Sequence, residues 1–374
     1  MKNTLVYNVT LRLILIGLII TLLIVGRPIL LPLSFALLFS FLLLPISSKL
    51  EDWKFPRALA IIISLVIAIA VVAGLLYFFY RQILMFVNDW PELSSELSNK
   101  IDSVFKWIND KFNFTEYEQK TWLNERLKLA GESAGQFALG VFTATGTFIA
   151  TAALLPIFIF FLTYYRDKFT HFIKLVFRNG KDEHVLSIIQ KVSSISQKYI
   201  KGVLLVVLIL SILNSAGFLL LGLRYAILFG VLLAFLNIIP YIGVLIGSIL
   251  PITMALVTED QISIAFGVAA VCIVVQFLEN NFITPNVVGS SVSINPFTAI
   301  IALTSSALIW GVLGMILVLP FVGMMKVAFD NIESLKPYGY LIGDESQYSP
   351  DNRYAKRIFS LRSKISKSEK KSGS

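Results

Sequence analysis

Apolar residues in this chain come in blocks of about 17 or more, and block length is the strongest constraint on its fold. At about 1.5 Å of rise per helical residue, such a block crosses roughly 30 Å of hydrocarbon. Lipid offers no water to the backbone, so every N–H and C=O in the block must be satisfied within the protein. That leaves helices or a closed barrel. A barrel needs short strands alternating between apolar and polar faces, and no such pattern appears. Composition agrees: 56% of the 374 residues are hydrophobic and 15% are charged, too little charge to coat a soluble domain of this size. The expected fold class is an all-α integral membrane protein with about eight membrane segments. Two of these are broken helical hairpins in the C-terminal half.

The charge of +9 is unevenly placed. Residues 166–201 hold eight basic and three acidic groups, and residues 344–374 hold eight and four. Residues 81–140 hold seven basic and nine acidic groups. Lys/Arg bias marks the cytoplasmic side, so the 166–201 loop and the tail are expected inside and the 81–140 region outside. Counting back through spans at Phe148–Tyr165, Leu59–Tyr80, Ile29–Ile46 and Val9–Val25 puts the N-terminus inside as well. The first run has no small-residue cleavage site and reads as a retained helix. The expected location is the bacterial cytoplasmic (inner) membrane.

Five regions follow. Residues 1–80 form an N-terminal three-helix membrane region. Residues 81–147 form an extracytoplasmic helical insert, with an apolar stripe at Leu93, Leu97, Ile101, Val104 and Ile108 and a second candidate helix at Trp122–Leu129. Asn113-Phe-Thr115 matches a glycosylation acceptor, a signal that fails in most bacterial contexts. Residues 148–201 form a fourth membrane helix and a basic amphipathic cytoplasmic loop. Its stripe at Val185, Ile188, Ile189, Val192 and Ile195 is expected to lie along the inner leaflet. Residues 202–336 form a transport core. Residues 337–374 form a basic disordered tail that suits anionic lipid better than nucleic acid.

The core holds two interrupted runs. Ile227–Val257 breaks at Asn237-Ile-Ile-Pro240-Tyr241-Ile-Gly243, because proline removes a donor and glycine loosens the backbone. Pro296–Met325 breaks around Gly311 and Gly314 and ends its short pieces at Leu319-Pro320. Between them Ile262–Leu278 is full length. Two readings stand: re-entrant hairpins of opposite orientation, as in an inverted-repeat transporter, or ordinary helix pairs joined by tight turns. Paired Gly/Pro-interrupted segments point to a midplane binding site.

Polar side chains gather at these breaks: Asn237 and Tyr241 in the first; Gln276, Glu279, Asn280 and Asn281 after the full span; Thr304, Ser305 and Ser306 in the second. Glu279 is the single acidic residue between Asp260 and Asp330. An ionisable group at membrane depth is a functional candidate by default; at a helix end among headgroups it would cap only water. The candidate solute contacts are Asn237, Pro240, Tyr241, Gly243, Gln276, Asn280, Asn281, Thr304 and Ser305. Glu279 is the candidate ion-coupling group, and Pro240, Gly243, Gly311, Gly314 and Pro320 are the candidate hairpin-break residues.

These residues carry a resemblance. Asn237-Ile-Ile-Pro240-Tyr241-Ile-Gly243 resembles the N-x-I-P-Y-x-G signature of the autoinducer-2 exporter family of bacterial permeases. Gln276-Phe-Leu-Glu279, followed by Pro285 and Gly289, is similar to its Q-x-x-E…P-x-x-x-G element. Asn295-Pro296, Gly311-x-x-Gly314 and Pro320 continue in family order. Where the family often has glycine after the glutamate, this chain has Asn280, a departure that bears on solute specificity. The resemblance implies about eight membrane segments, export or exchange of small molecules, and an oligomer. Members are linked to a quorum-sensing signal and to sodium/proton exchange.

The expectation is a secondary transporter of a small polar solute, ion-coupled by alternating access. The alternatives are a monovalent cation (Na+)/proton antiporter and a non-transporting scaffold or accessory protein. No P-loop is present. No Ser/His pair, aspartate pair or zinc motif lies within the spans, so the chain is not expected to be an enzyme. No cofactor is implied, and no metal site, because His171 and His184 lack partners at ligand spacing. Cys272 reads as a small core residue. The expected partners are the lipid bilayer, a solute or ion, and further copies of the chain, with no nucleic acid.

Overall fold

In a computed structural model, residues 2–89, 91–100, 102, 153–176, 182–239, 242–259, 261–288 and 294–344 are described. Among them the chain is all-helical, with one isolated bridge, Ile294 to Gly343. The helices are α1 (Lys2–Val25), α2 (Arg27–Asp52), α3 (Arg57–Asn88), α4 (91–100), α5 (Ala153–Tyr164), α6 (Arg166–Val176) and α7 (Asp182–Leu220). They continue as α8 (Ala226–Leu236), α9 (Ile242–Thr258), α10 (Ile262–Leu278), α11 (Thr284–Val287), α12 (Pro296–Trp310), α13 (Val312–Asn331) and α14 (Lys336–Ile342). Among the described residues five helices are long and apolar enough to cross a membrane: α2, α3, Glu183–Leu220, Ile262–Val287 and α13. Shorter apolar helices include Leu13–Val25, Ala153–Tyr164, α8 and α12. Large side chains such as Leu18, Ile69, Phe266 and Leu308 are exposed on these helices, a surface that lipid accepts and water does not. The protein is a multi-pass membrane protein.

The chain divides into two compact units. The first holds residues 1–168 and 200–289. In it α2, α3 and α5 share an apolar cluster of Ala36, Leu43, Ile61, Leu65 and Ile159. An ionic cluster closes one end. Arg166 grips both oxygens of Glu51 at 2.9 and 2.6 Å, and Arg57 reaches Asp167 at 2.6 Å and the Tyr164 carbonyl at 3.2 Å. Paired charged forks hold geometry better than single contacts. At the other end of α3, Arg224 lies near Asp89, Glu92 and Glu96 at 3.8, 3.3 and 4.0 Å. Tyr225 donates to Asp89. Burial and that bond push the Tyr225 phenol up to about 12. Leu93 of α4 sinks into the core beside Phe218 and Leu223, so part of the expected insert stripe is buried. Ile101, Val104, Ile108 and Trp122–Leu129 lie outside the described residues.

The 202–220 part of α7 packs with α8, α9 and α10 through two apolar clusters. Without hydrophobic drive between helices in lipid, close packing relies on small residues. At Gly230 of α8 an added Cβ would lie 2.5 Å from the Ser215 backbone nitrogen. At Gly217 of α7 it would lie 2.5 Å from Val271 of α10.

The second unit holds residues 169–199 and 290–374. Here α12 and α13 are joined by Gly311 alone. His184 and Lys191 reach Asn331 at the end of α13, at 3.1 Å each. The amphipathic stripe beginning at Val185 does not form a separate helix. It runs without a break into the apolar span as the 39-residue α7, since no proline interrupts residues 182–220. The basic tail after Asp344 lies outside the described residues.

Gly230→Ala is expected to lower thermal stability by about 1–3 kcal/mol, since the obstructing atoms include backbone. Gly74→Ala on α3, with nothing within 4 Å, should gain about 1 kcal/mol of helix propensity. Unfolding of the two variants in detergent checks the pair.

Candidate functional site

The buried face of α10 runs through Ala265, Val268, Cys272 and Val275 at steps of three and four. The next position on that stripe is Glu279, only 9% exposed. There the helix changes pitch: Glu279–Ile283 is a π-helical turn, and α11 follows directly. Single π-turns inside helices recur at functional sites because they free and re-aim groups locally. The combined stretch Ile262–Val287 is one candidate span of 26 residues. Glu279 therefore sits within that candidate span, eight residues before its last residue, and not at a helix end.

Its partners are neutral. Gln276 Nε2 donates to Glu279 Oε2 at 2.5 Å and to Asn280 Oδ1 at 3.1 Å. Thr284 Oγ1 donates to Glu279 Oε1 at 3.3 Å. Among the described residues no Lys, Arg or His forms an ion pair with Glu279. A buried carboxylate without a cation is costly unless something else compensates it.

Depth follows from helix pairing. Gly217 of α7 meets Val271, and Gly202 meets Val288, so α7 and α10 run antiparallel. Glu279 lies eight residues beyond Val271 and is thus level with about residue 210 of α7. On the other side Gly230 meets Ser215, and Ala234 shares a cluster with Leu210. The C-terminal end of α8 therefore arrives near the same level. Ile238 and Ile283 both pack against the cluster of Val206, Val207, Leu210, Ala234 and Val275, so the first break and the π-turn border the same apolar cluster.

The two arms of that break, α8 and α9, form a helical hairpin. Gly247 packs on Leu233, and a methyl at Gly243 would overlap the Leu236 carbonyl. Glycine is required there by close approach. Asn237 caps α8 and is half-buried. Pro240 and Tyr241 lie outside the described residues. The returning end of α9 reaches α4, where Lys100 donates to the carbonyls of Leu256 and Glu259.

The second break belongs to the other unit. Gly311 has φ 67° and ψ −149°, a conformation essentially confined to glycine. A methyl at Gly314 would lie 2.5 Å from the Ser306 carbonyl. Pro320, expected to end the short pieces, lies buried inside α13, which runs on to Asn331. The arms are accordingly unequal, at 15 and 20 residues. A membrane helix tolerates such a proline when neighbours repair the lost bond. Thr304 and Ser305 are exposed on α12.

Of the expected site residues, the structure thus joins Gln276, Glu279 and Asn280 by hydrogen bonds, with Asn237 and Gly243 in the neighbouring hairpin. Asn281 instead donates to the Phe277 carbonyl at 2.9 Å and is exposed. Among the described residues no three His, Cys, Asp or Glu side chains group to hold a metal ion.

Sequence reasoning passed over several buried polar groups, Lys326 and Asn214 among them. Lys326 of α13, 5% exposed, pairs with Asp330 at 2.5 Å. Asn214 of α7 is 2% exposed. It is the one asparagine in the run Val203–Leu221, which was the available signal.

Known proteins match this chain in sequence. The AI-2E transporter family profile covers residues 12–334. The chain belongs to the AI-2E transporter family. It is 27% identical over 322 residues to a Bacillus subtilis protein named "Putative transport protein YueF", covering 81% of this chain and 84% of the relative. It is 24% identical over 308 residues to the similarly named YrrI of the same organism, covering 80% and 86%. Over 204 residues it is 22% identical to an Escherichia coli protein named "Putative permease PerM", covering 54% and 58%.

Gly311→Ala is expected to cost about 1–3 kcal/mol from backbone strain alone, since nothing lies within 4 Å. Gly243→Ala should cost at least as much, because it must drive α8 and α9 apart. Thermal unfolding in detergent ranks both against the parent.

Proposed function

We propose that this protein is an ion-coupled secondary transporter that exports or exchanges a small polar solute, with the Glu279 π-turn as its coupling centre. The observation that carries this reading is a buried carboxylate, held by neutral donors only, in a π-turn within a membrane span. Such a group can hold a proton or a monovalent cation and release it when the other binds. Gln276, Asn280 and Thr284 orient it, and Asn237 at the adjoining hairpin tip supplies solute contacts.

In this reading both broken runs are re-entrant hairpins within about eight membrane segments, and transport proceeds by alternating access. The return of α9 to the α4 end supports re-entrance of the first hairpin. The glycine-only hinge at Gly311 supports a turn in the second. The insert is outside, both termini are cytoplasmic, and the membrane is the bacterial inner membrane, as the Lys/Arg map supports. The family name points to an autoinducer-2-like signal as one solute class. Homo-oligomerisation is proposed on the family resemblance.

A second reading, sodium/proton antiport without an organic solute, is favoured by the same carboxylate. The test is reconstitution in liposomes with an entrapped pH dye. Sodium chloride added with a small polyol such as erythritol, with choline chloride as control, should drive proton movement. Glu279→Gln should reduce that movement at least about tenfold, a barrier change of about 1.4 kcal/mol. Unchanged sodium-dependent proton movement in Glu279→Gln would remove the coupling role. Full movement with no organic solute present would select the antiporter.

A further inference from the structure

Two buried helix stripes face each other in the first unit, and each carries a single interruption. On α10 the stripe is Val268, Cys272, Val275 and then Glu279. On α7 it is Val207, Leu210, Asn214 and Phe218, spaced by three, four and four residues. Leu210 and Val207 belong to one apolar cluster, Phe218 to the other, and both clusters include residues of α8 and α10. Asn214 is thus an amide set between two apolar clusters at the α7–α8–α10 junction.

Its oxygen Oδ1 is buried and has no hydrogen-bond partner among the described residues. The hydroxyl of the next residue, Ser215, is also buried and unpartnered, facing the close approach of Gly230. Serine in a helix usually bonds back to a carbonyl one turn earlier. Ser211 does so, at 2.7 Å from Val207 O, whereas Ser215 does not. Stranding a buried acceptor costs roughly 1–3 kcal/mol, and leucine at position 214 would avoid that cost. Two consecutive stranded acceptors in the middle of an apolar helix therefore need a role that packing does not supply.

Depth supplies the role. Asn214 is about four residues from the level of Glu279, roughly 6 Å along the helix axis, on the facing stripe. We infer that Asn214, with Ser215 beside it, is a second polar station of the permeation path. It accepts the electropositive part of the cargo, a bare monovalent cation or a hydroxyl hydrogen, as cargo passes to or from Glu279. This inference rests on the Glu279 centre proposed above. The stranded acceptors are occupied in the states that carry cargo.

The test is cysteine accessibility in membrane vesicles. The native thiol is removed by Cys272→Ala, and Asn214→Cys, Glu279→Cys and Leu210→Cys are each introduced into that background. The probe is 2-aminoethyl methanethiosulfonate, a small water-soluble cation. Asn214→Cys should react at least about tenfold faster than Leu210→Cys, its apolar neighbour on the same stripe. Sodium chloride or erythritol, against choline chloride and no addition, should slow the reaction. Protection by sodium assigns a cation, and protection by erythritol assigns a hydroxyl-bearing solute. Asn214→Leu gives an independent readout: thermal stability equal to the parent or higher, with sodium-dependent proton movement reduced at least fivefold.

Labelling of Asn214→Cys no faster than Leu210→Cys, or labelling that neither sodium nor erythritol slows, overturns the station. If Glu279→Cys is then still labelled and protected, the coupling centre stands without it. If Glu279→Cys is inert too, both readings fall.

Discussion

A backbone inside hydrocarbon has no water to fall back on, so every departure from a regular helix must be repaired by the protein itself. The first unit is built around such departures. The π-turn at Glu279–Ile283 is one; the break between α8 and α9 is another. The break has Gly243 under the Leu236 carbonyl and Gly230 of α8 against Ser215, and Gly202 of α7 packs on Val288 just past the π-turn. Tight packing here is the condition for having irregular backbone at membrane depth at all. The same logic allows Pro251 and Pro320 to lie inside helices, both nearly fully buried.

Polar groups follow the irregular backbone. Glu279, Gln276, Asn280 and Thr284 make a short chain of hydrogen bonds around the π-turn, and no cation joins it among the described residues. Two other groups of charges in this unit pair with opposite charges. Glu51 with Arg57 and Arg166 ties α2, α3 and the start of α6, and Arg224 gathers three carboxylates beside α4. Ionic clusters at both ends of α3 brace the unit, and an unmatched carboxylate sits between those ends. That contrast separates structural charge from candidate functional charge more sharply than any single distance.

Much of this was legible in advance. The apolar blocks, the breaks at Asn237–Gly243 and at Gly311, and the candidacy of Glu279 all follow from residue order. The continuity of α7 was not legible, because an amphipathic stripe and an apolar run read as two objects when no contact joins them. Pro320 misled because a proline marks a break only where nothing repairs its missing bond. Asn214 escaped because one amide in an apolar run reads as interhelical glue until its oxygen is seen to be unpaired.

Residue order alone determined that this chain is helical and membrane-embedded, since block length and the backbone's need for internal hydrogen bonds admit little else. It also located the interruptions, since proline and glycine act locally. Tertiary structure decided their meaning. Only the pairing of α7 with α8 and α10 sets Glu279, Asn214 and the first hairpin tip near one depth, because depth depends on which helices touch. Only the structure shows that the helix carries on past Glu279, through a π-turn into α11, because a helix end and a change of pitch look alike in one dimension.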